Sequence, residues 1–293
     1  DLAVPVGEFT WISALRSTHS ATAAADAVVA GERAAYALCR PSGHHCRADR
    51  ASGFCYMNNS AIAAERLRTR FGKVAVLDID AHHGDGTQSI FYDRADVMTV
   101  SVHVDPDAYY PFFTGRVHER GRGEGEGLNL NLLLPAGSGD ETFLAATCQG
   151  LDAVARYGAE ALVLALGYDT HVEDPLSLVR VTTEAFHGAG RAVASAGIPV
   201  VVVQEGGYQV SVIGDCLENI KANRGIDVDL DTLELDDQAA EEGGPLRTSS
   251  AVPREGDLLP ARRPPLHATI HGLQQLSGVV VVTAPEDRGT AGG

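Results

Sequence analysis

Five short apolar runs recur between residues 34 and 204, and each stops abruptly at polar or glycine-rich positions. Residues 34–39 lead into Arg40-Pro41-Ser42-Gly43-His44-His45, and residues 74–77 into Asp78-Ile79-Asp80-Ala81-His82-His83. Residues 97–102 end at His103, residues 161–166 at Gly167-Tyr168-Asp169, and residues 199–203 at Gln204-Glu205-Gly206-Gly207-Tyr208. Such near-continuous apolar runs suit strands buried on both faces of a parallel sheet. Helical patterns at 11–30, 59–70, 140–157 and 183–196 separate them, and 129–134 adds a further strand. Asp140 is placed to cap the third helix, while Leu144, Leu151 and Val154 face the sheet. Gly197 and Pro199 end the fourth. Strand and helix alternating in this way specify an α/β fold, three layers deep, with an open, mostly parallel sheet and helices on both faces.

In such a sheet, ligands bind beyond the carboxyl ends of the strands, where the polar clusters sit. The Asp78-x-Asp80-x-His82 spacing projects three polar side chains to one side if the strand geometry continues. Asp80 and His82, joined by Asp169 from another strand end, make a set of three metal ligands. Three protein ligands with an open fourth position are the pattern of a catalytic zinc site. Tandem imidazoles at His44 and His45 have Asp78 and Asp85 available to fix their tautomers. After Gly206-Gly207, the Tyr208 phenol can donate a hydrogen bond to a developing oxyanion.

Composition narrows the function. Asp and Glu number 39 against 23 Lys and Arg, a net charge of −16. That balance argues against nucleic-acid or anionic-membrane binding and suits a cationic partner. Lys73 and Lys221 are the only lysines, which fits a GC-rich bacterial coding sequence. Five cysteines, an odd number without C-x-x-C spacing, fit reduced thiols in a cytoplasmic protein. Apolar stretches stop short of the roughly 18 residues of a membrane span. The organisation divides into a catalytic domain at 1–222 and a tail at 223–293. Eight acidic and no basic residues fall in 227–242, before a Pro/Arg-rich stretch, so the tail is expected to be disordered. Residues 279–282 are strand-like but isolated.

The motifs Arg40-Pro41-Ser42-Gly43-His44-His45, Gly53-Phe54-Cys55-Tyr56-Met57-Asn58-Asn59, Asp78-Ile79-Asp80-Ala81-His82-His83-Gly84-Asp85-Gly86-Thr87-Gln88, Ser101-Val102-His103, Gly167-Tyr168-Asp169-Thr170 and Glu205-Gly206-Gly207-Tyr208 resemble, in order, those of the zinc-dependent histone deacetylase superfamily. The segment Glu173-Asp174-Pro175 makes the chain most similar to bacterial acetylpolyamine amidohydrolases and related class II deacetylase-like enzymes. The resemblance implies a zinc ion on Asp80, His82 and Asp169. It implies catalytic His44 and His45 with Asp78 and Asp85 as partners, and Tyr208 polarising the scissile carbonyl. It also implies a potassium site at Asp78 and Ser101 with the carbonyls of His82 and Val102, and Gly53 and Phe54 in the tunnel wall. The implied reaction frees acetate from acetylpolyamines or acetyl-lysine, with His45 moving the protons.

Other readings remain beside this one: a protein-lysine deacetylase, or an inactive metal-binding fragment. Manganese ureohydrolases share the fold but carry a second carboxylate where this chain has His171. Residues 121–127 hold two glutamates that would repel phosphate, so they are a loop rather than a phosphate cradle. The family normally has more chain before the His-His motif, so the N-terminal part is expected to be truncated, with Asp1 to Gly7 a remnant of a substrate-specifying loop. Relatives imply a possible homodimer.

Overall fold

The computed structural model describes residues 3–221 and a strand at 278–282. Asp1, the acidic stretch and the Pro/Arg-rich stretch lie outside the described residues. Seven strands form one sheet: β1 (Ala34–Leu38), β2 (Val74–Asp78), β3 (Val97–Val104), β4 (Asn129–Leu134), β5 (Ala161–Leu166), β6 (Val200–Gln204) and β7 (Gly278–Val282). Their order is β4-β3-β2-β5-β6-β1-β7. The first six run parallel, and β7 pairs antiparallel with β1, Tyr36 opposite Val280. The isolated apolar run thus becomes an edge strand of the domain.

Helices α1 (Thr10–Ala30), α2 (Asn59–Leu67), α3 (Asp85–Phe91), α4 (Asp140–Tyr157), α5 (Thr183–Ser195) and α6 (Val210–Lys221) cover both faces. Strand periodicity sorts the core between them: Val74 and Val76 join α1 and α2, whereas Ala75 and Leu77 join α4, α5 and α6. In α1, Ala21, Ala24, Ala25 and Val28 recur at helical spacing, and their small size lets the helix sit close against Ala61 and Ala64 of α2. Among the described residues no helix is long and apolar enough to cross a membrane.

Three local expectations change. Helix α2 ends at Leu67 rather than Arg70, and Arg68 instead reaches across to Asp96. Asp140 does not cap α4, whose N-cap is Gly139; its carboxylate holds the N–H and hydroxyl of Thr182, each at 2.7 Å, and so ties α4 to the entry of α5. Strand β2 stops at Asp78, so Asp80 and His82 are not placed by strand pleating.

Candidate metal centre and active site

What replaces the pleat is a ladder of carboxylate turns. Asp78 Oδ1 accepts the Asp80 N–H at 3.0 Å, and Asp80 Oδ1 accepts the His82 N–H at 2.8 Å. Each Asp thereby closes a turn with the residue two positions on. From β5, Asp169 Oδ1 accepts the Ala81 N–H at 2.8 Å, tying the two strand ends together. From β6, the Gly206 N–H donates to Asp80 Oδ2 at 2.8 Å. Gly206 has no substitute here: a Cβ would lie 2.4 Å from Asp169 Oδ2 and 2.6 Å from Asp80 Oδ2.

These bonds bring Asp80, His82 and Asp169 into one buried cluster whose ligand atoms all lie within 4.8 Å of one another. His82 Nδ1 is 2.9 Å from Asp169 Oδ2 and 3.1 Å from Asp80 Oδ1. Burial, and then the charge of Asp80, pushes the Asp169 carboxyl up to about 6. Burial acts against ionisation of Asp80 too, yet His44 and His82 hold it well below the carboxylate range. His82 is raised to about 10 against its burial, by Asp169 and Asp80. Two adjacent buried carboxylates and one imidazole form a donor set whose composition fits a divalent metal.

The tandem histidines stand beside it. His44 Nδ1 lies 2.9 Å from Asp78 Oδ2, and His45 Nδ1 lies 2.8 Å from Asp85 Oδ1. Arg47 binds the other Asp85 oxygen at 2.8 Å. The rings are 4.1 Å apart at their centroids. Burial works against a charge on His44, but Asp78, Asp80 and Glu205 raise it well above its ordinary value. Burial and then the neighbouring His44 lower His45 to about 4. His45 is therefore a neutral imidazole at neutral pH, its Nδ1–H donated to Asp85 and its Nε2 lone pair free. Gly53, in the left-handed region at φ 53°, packs so tightly on His45 that a Cβ would sit 2.3 Å from its Cδ2.

Phe54 also has a positive φ, 64°, and its ring is half exposed. Sequence reasoning missed the aromatic walls that accompany it. The ring of Tyr109 stacks on His82 at 4.4 Å, and Tyr110 meets His45 edge-on at 4.9 Å. The phenol of Tyr208 is partly exposed, and burial with the nearby Asp169 and Asp80 keeps it protonated as a donor. Asp78 and Ser101 stand opposite each other in the β2–β3 register. The Ser101 hydroxyl donates to His103 Nδ1 at 2.8 Å, since His103 Nε2–H is donated to the Gly115 carbonyl at 2.9 Å.

Two further carboxylates carried no role in the sequence reading. Glu205 Oε2 accepts the N–H groups of Gly43 at 2.7 Å and His44 at 3.1 Å, anchoring the histidine loop to the end of β6. Asp174 holds the loop of Tyr208. Both face backbone N–H groups distant in sequence, which no spacing rule reveals.

Comparisons with known proteins converge. The family model of the histone deacetylase domain matches residues 1–223. An acetylpolyamine amidohydrolase of Burkholderia pseudomallei is 50% identical over 223 residues, 76% of this chain and 63% of that protein. Another, of Mycoplana ramosa, is 43% identical over 72% of this chain and 62% of its own length. A crystal structure of acetylpolyamine aminohydrolase from Burkholderia pseudomallei superposes with a TM-score of 0.76 at 49% identity, covering 77% of this chain and 66% of that one. A histone deacetylase homologue from Aquifex aeolicus gives 0.69 at 33% identity, covering 76% and 60%. The chain thus spans under two thirds of the length of these relatives.

Proposed function

The chain belongs to the histone deacetylase family, and from that membership we propose that it is a zinc-dependent amidohydrolase releasing acetate from acetylated amines, acetylpolyamines in particular. One observation carries the reading: the buried Asp80–His82–Asp169 cluster adjoins a neutral His45 and a protonated Tyr208. The names of the relatives at 50% and 43% identity support acetylpolyamines, as does the net charge of −16 for a cationic substrate.

Asp80, His82 and Asp169 would hold the zinc ion. When bound, zinc supplies Lewis acidity toward the amide carbonyl and lowers the pKa of water. His45 Nε2 takes the proton of the attacking water and later delivers it to the leaving amine, while Asp85 holds the imidazole tautomer and stabilises the imidazolium. Tyr208 donates its O–H to the developing oxyanion. His44, kept cationic by its acidic neighbours, adds positive potential beside the same charge. Phe54, Tyr109 and Tyr110 would line the approach of an aliphatic chain, with Tyr109 against His82 and Tyr110 against His45. Asp78 and Ser101, with backbone carbonyls, would hold potassium under the zinc ligands. Five free cysteines suit a cytoplasmic setting.

The test is acetate release by the zinc-loaded chain, comparing acetylputrescine with an acetyl-lysine peptide. The proposal expects faster release from acetylputrescine. Preference for the peptide would reassign it as a protein deacetylase, and no release from either would refute the activity.

A further inference from the structure

A second cluster of side chains able to bind a metal adjoins the first, with His44 Nε2 3.8 Å from Asp80 Oδ1. His44, Cys55 and Glu205 place one ligand atom each within 4.8 Å of one another, all buried. Nothing in the proposed reaction uses the Cys55 thiol. Glu205 uses Oε2 for the Gly43 and His44 N–H groups and Oε1 for the Ser60 hydroxyl at 2.7 Å. Each carboxylate oxygen has two lone pairs, so Oε1 retains one. His44 commits Nδ1 to Asp78, and its Nε2, 3.8 Å from Asp80 Oδ1, remains the nitrogen with free capacity. The set is therefore one thiol, one imidazole and one carboxylate, each able to give an atom once its proton has left.

We propose that His44, Cys55 and Glu205 form a second metal site, selective for thiophilic divalent ions, whose occupancy blocks the adjacent active centre. The donor chemistry sets the selectivity: a thiolate favours soft ions, in contrast to the N/O-only set of Asp80, His82 and Asp169. Cadmium, a soft divalent ion, serves as the probe of that preference. Burial pushes Cys55 up to about 12 and Glu205 up to about 7, so a bound ion must displace protons there. On binding, the Cys55 S–H and His44 Nε2–H bonds break, both protons and any held by Glu205 leave to solvent, and the sulfur and nitrogen lone pairs so freed form the bonds to the metal; no redox change is involved. Blockage follows because the ion replaces the His44 proton and occupies the nitrogen beside Asp80.

The blocking effect rests on the deacetylase reading, whereas the binding site does not. Titration of the zinc-loaded chain with cadmium, followed by the ultraviolet thiolate-to-cadmium charge-transfer absorption, separates them. Exchange of cadmium into the Asp80–His82–Asp169 cluster is silent, because that cluster has no sulfur. The wild type should develop the band and saturate at one equivalent. Cys148→Ser, which removes the exposed thiol, should keep it and Cys55→Ser should lose it. Glu205→Gln should weaken cadmium binding at least about tenfold, the usual scale for loss of a supporting ligand group. No band in the wild type, a band surviving Cys55→Ser, or unchanged affinity in Glu205→Gln would each overturn the site. If Cys55→Ser does not fold, the wild type and Glu205→Gln still decide. Acetate release should fall as the band saturates in the wild type; unaffected release at saturation would refute the blocking effect alone.

Discussion

Asp174 accepts the backbone N–H of Tyr208 on Oδ2 at 2.6 Å, and the next N–H, of Gln209, on the same oxygen at 3.1 Å. Its other oxygen closes a turn with Leu176 at 3.0 Å. One carboxylate thus fastens the loop leaving β6 to the loop leaving β5 and positions the tyrosine through its backbone. Charge-assisted hydrogen bonds of this kind contribute about 1.5–3 kcal/mol each. Asp174→Ala should lower kcat about tenfold or more, with KM and zinc content little changed. Steady-state kinetics beside metal analysis checks this, and an unchanged kcat would remove Asp174 from the positioning of Tyr208.

Gly206 gives a second test, because its backbone enters the metal cluster. An added methyl meets both Asp169 Oδ2 and Asp80 Oδ2 well inside contact distance. Gly206→Ala should weaken zinc binding about 10–100-fold, the range seen when supporting geometry is disturbed. Competition with a chelator of known affinity measures it, and wild-type affinity in the variant would mean that the carboxylates shift freely.

Away from the site, Asp96 bridges Arg94 and Arg68, with Nη2 of each 2.7 Å from Oδ2. The hydrogen bonds from Arg94 hold its carboxyl at about 2, below its ordinary 3.8. A depressed folded-state pKa stabilises the fold above the unfolded value and loses that contribution as pH falls. The contribution should therefore be complete above 3.8 and disappear as pH drops through about 2. Over that interval the melting temperature of the wild type should fall more than that of Asp96→Asn. Added salt should narrow the difference, since the pair is partly solvated. Parallel acid profiles would show that the pair contributes nothing.

Most of the parallel strands were legible because burial on both faces leaves near-continuous apolar runs, and the site was legible because polar residues crowd the ends of those runs. Asp80, His82 and Asp169 do meet, although by turns rather than by the expected pleat. Helix α6 escaped notice because Val210, Val212 and Ile213 read as strand formers in isolation, and only packing against the core makes them helical. Seven residues of α3 are too short for a periodic signal. Strand β7 looked isolated because its partner, β1, is more than 200 residues away in sequence. Glu205, Asp174, Tyr109 and Tyr110 act through distant loops, and local sequence carries no trace of such contacts.

Tyr208→Phe isolates the proposed oxyanion donor, because it removes one hydroxyl and touches no metal ligand. Zinc content and acetate release should be measured together in the wild type and the variant. The proposed reaction requires one zinc per chain in both, with kcat lowered roughly 10²–10³-fold in the variant, the cost of one oxyanion donor. Equal turnover in the two proteins, or loss of zinc with the phenol, would contradict it.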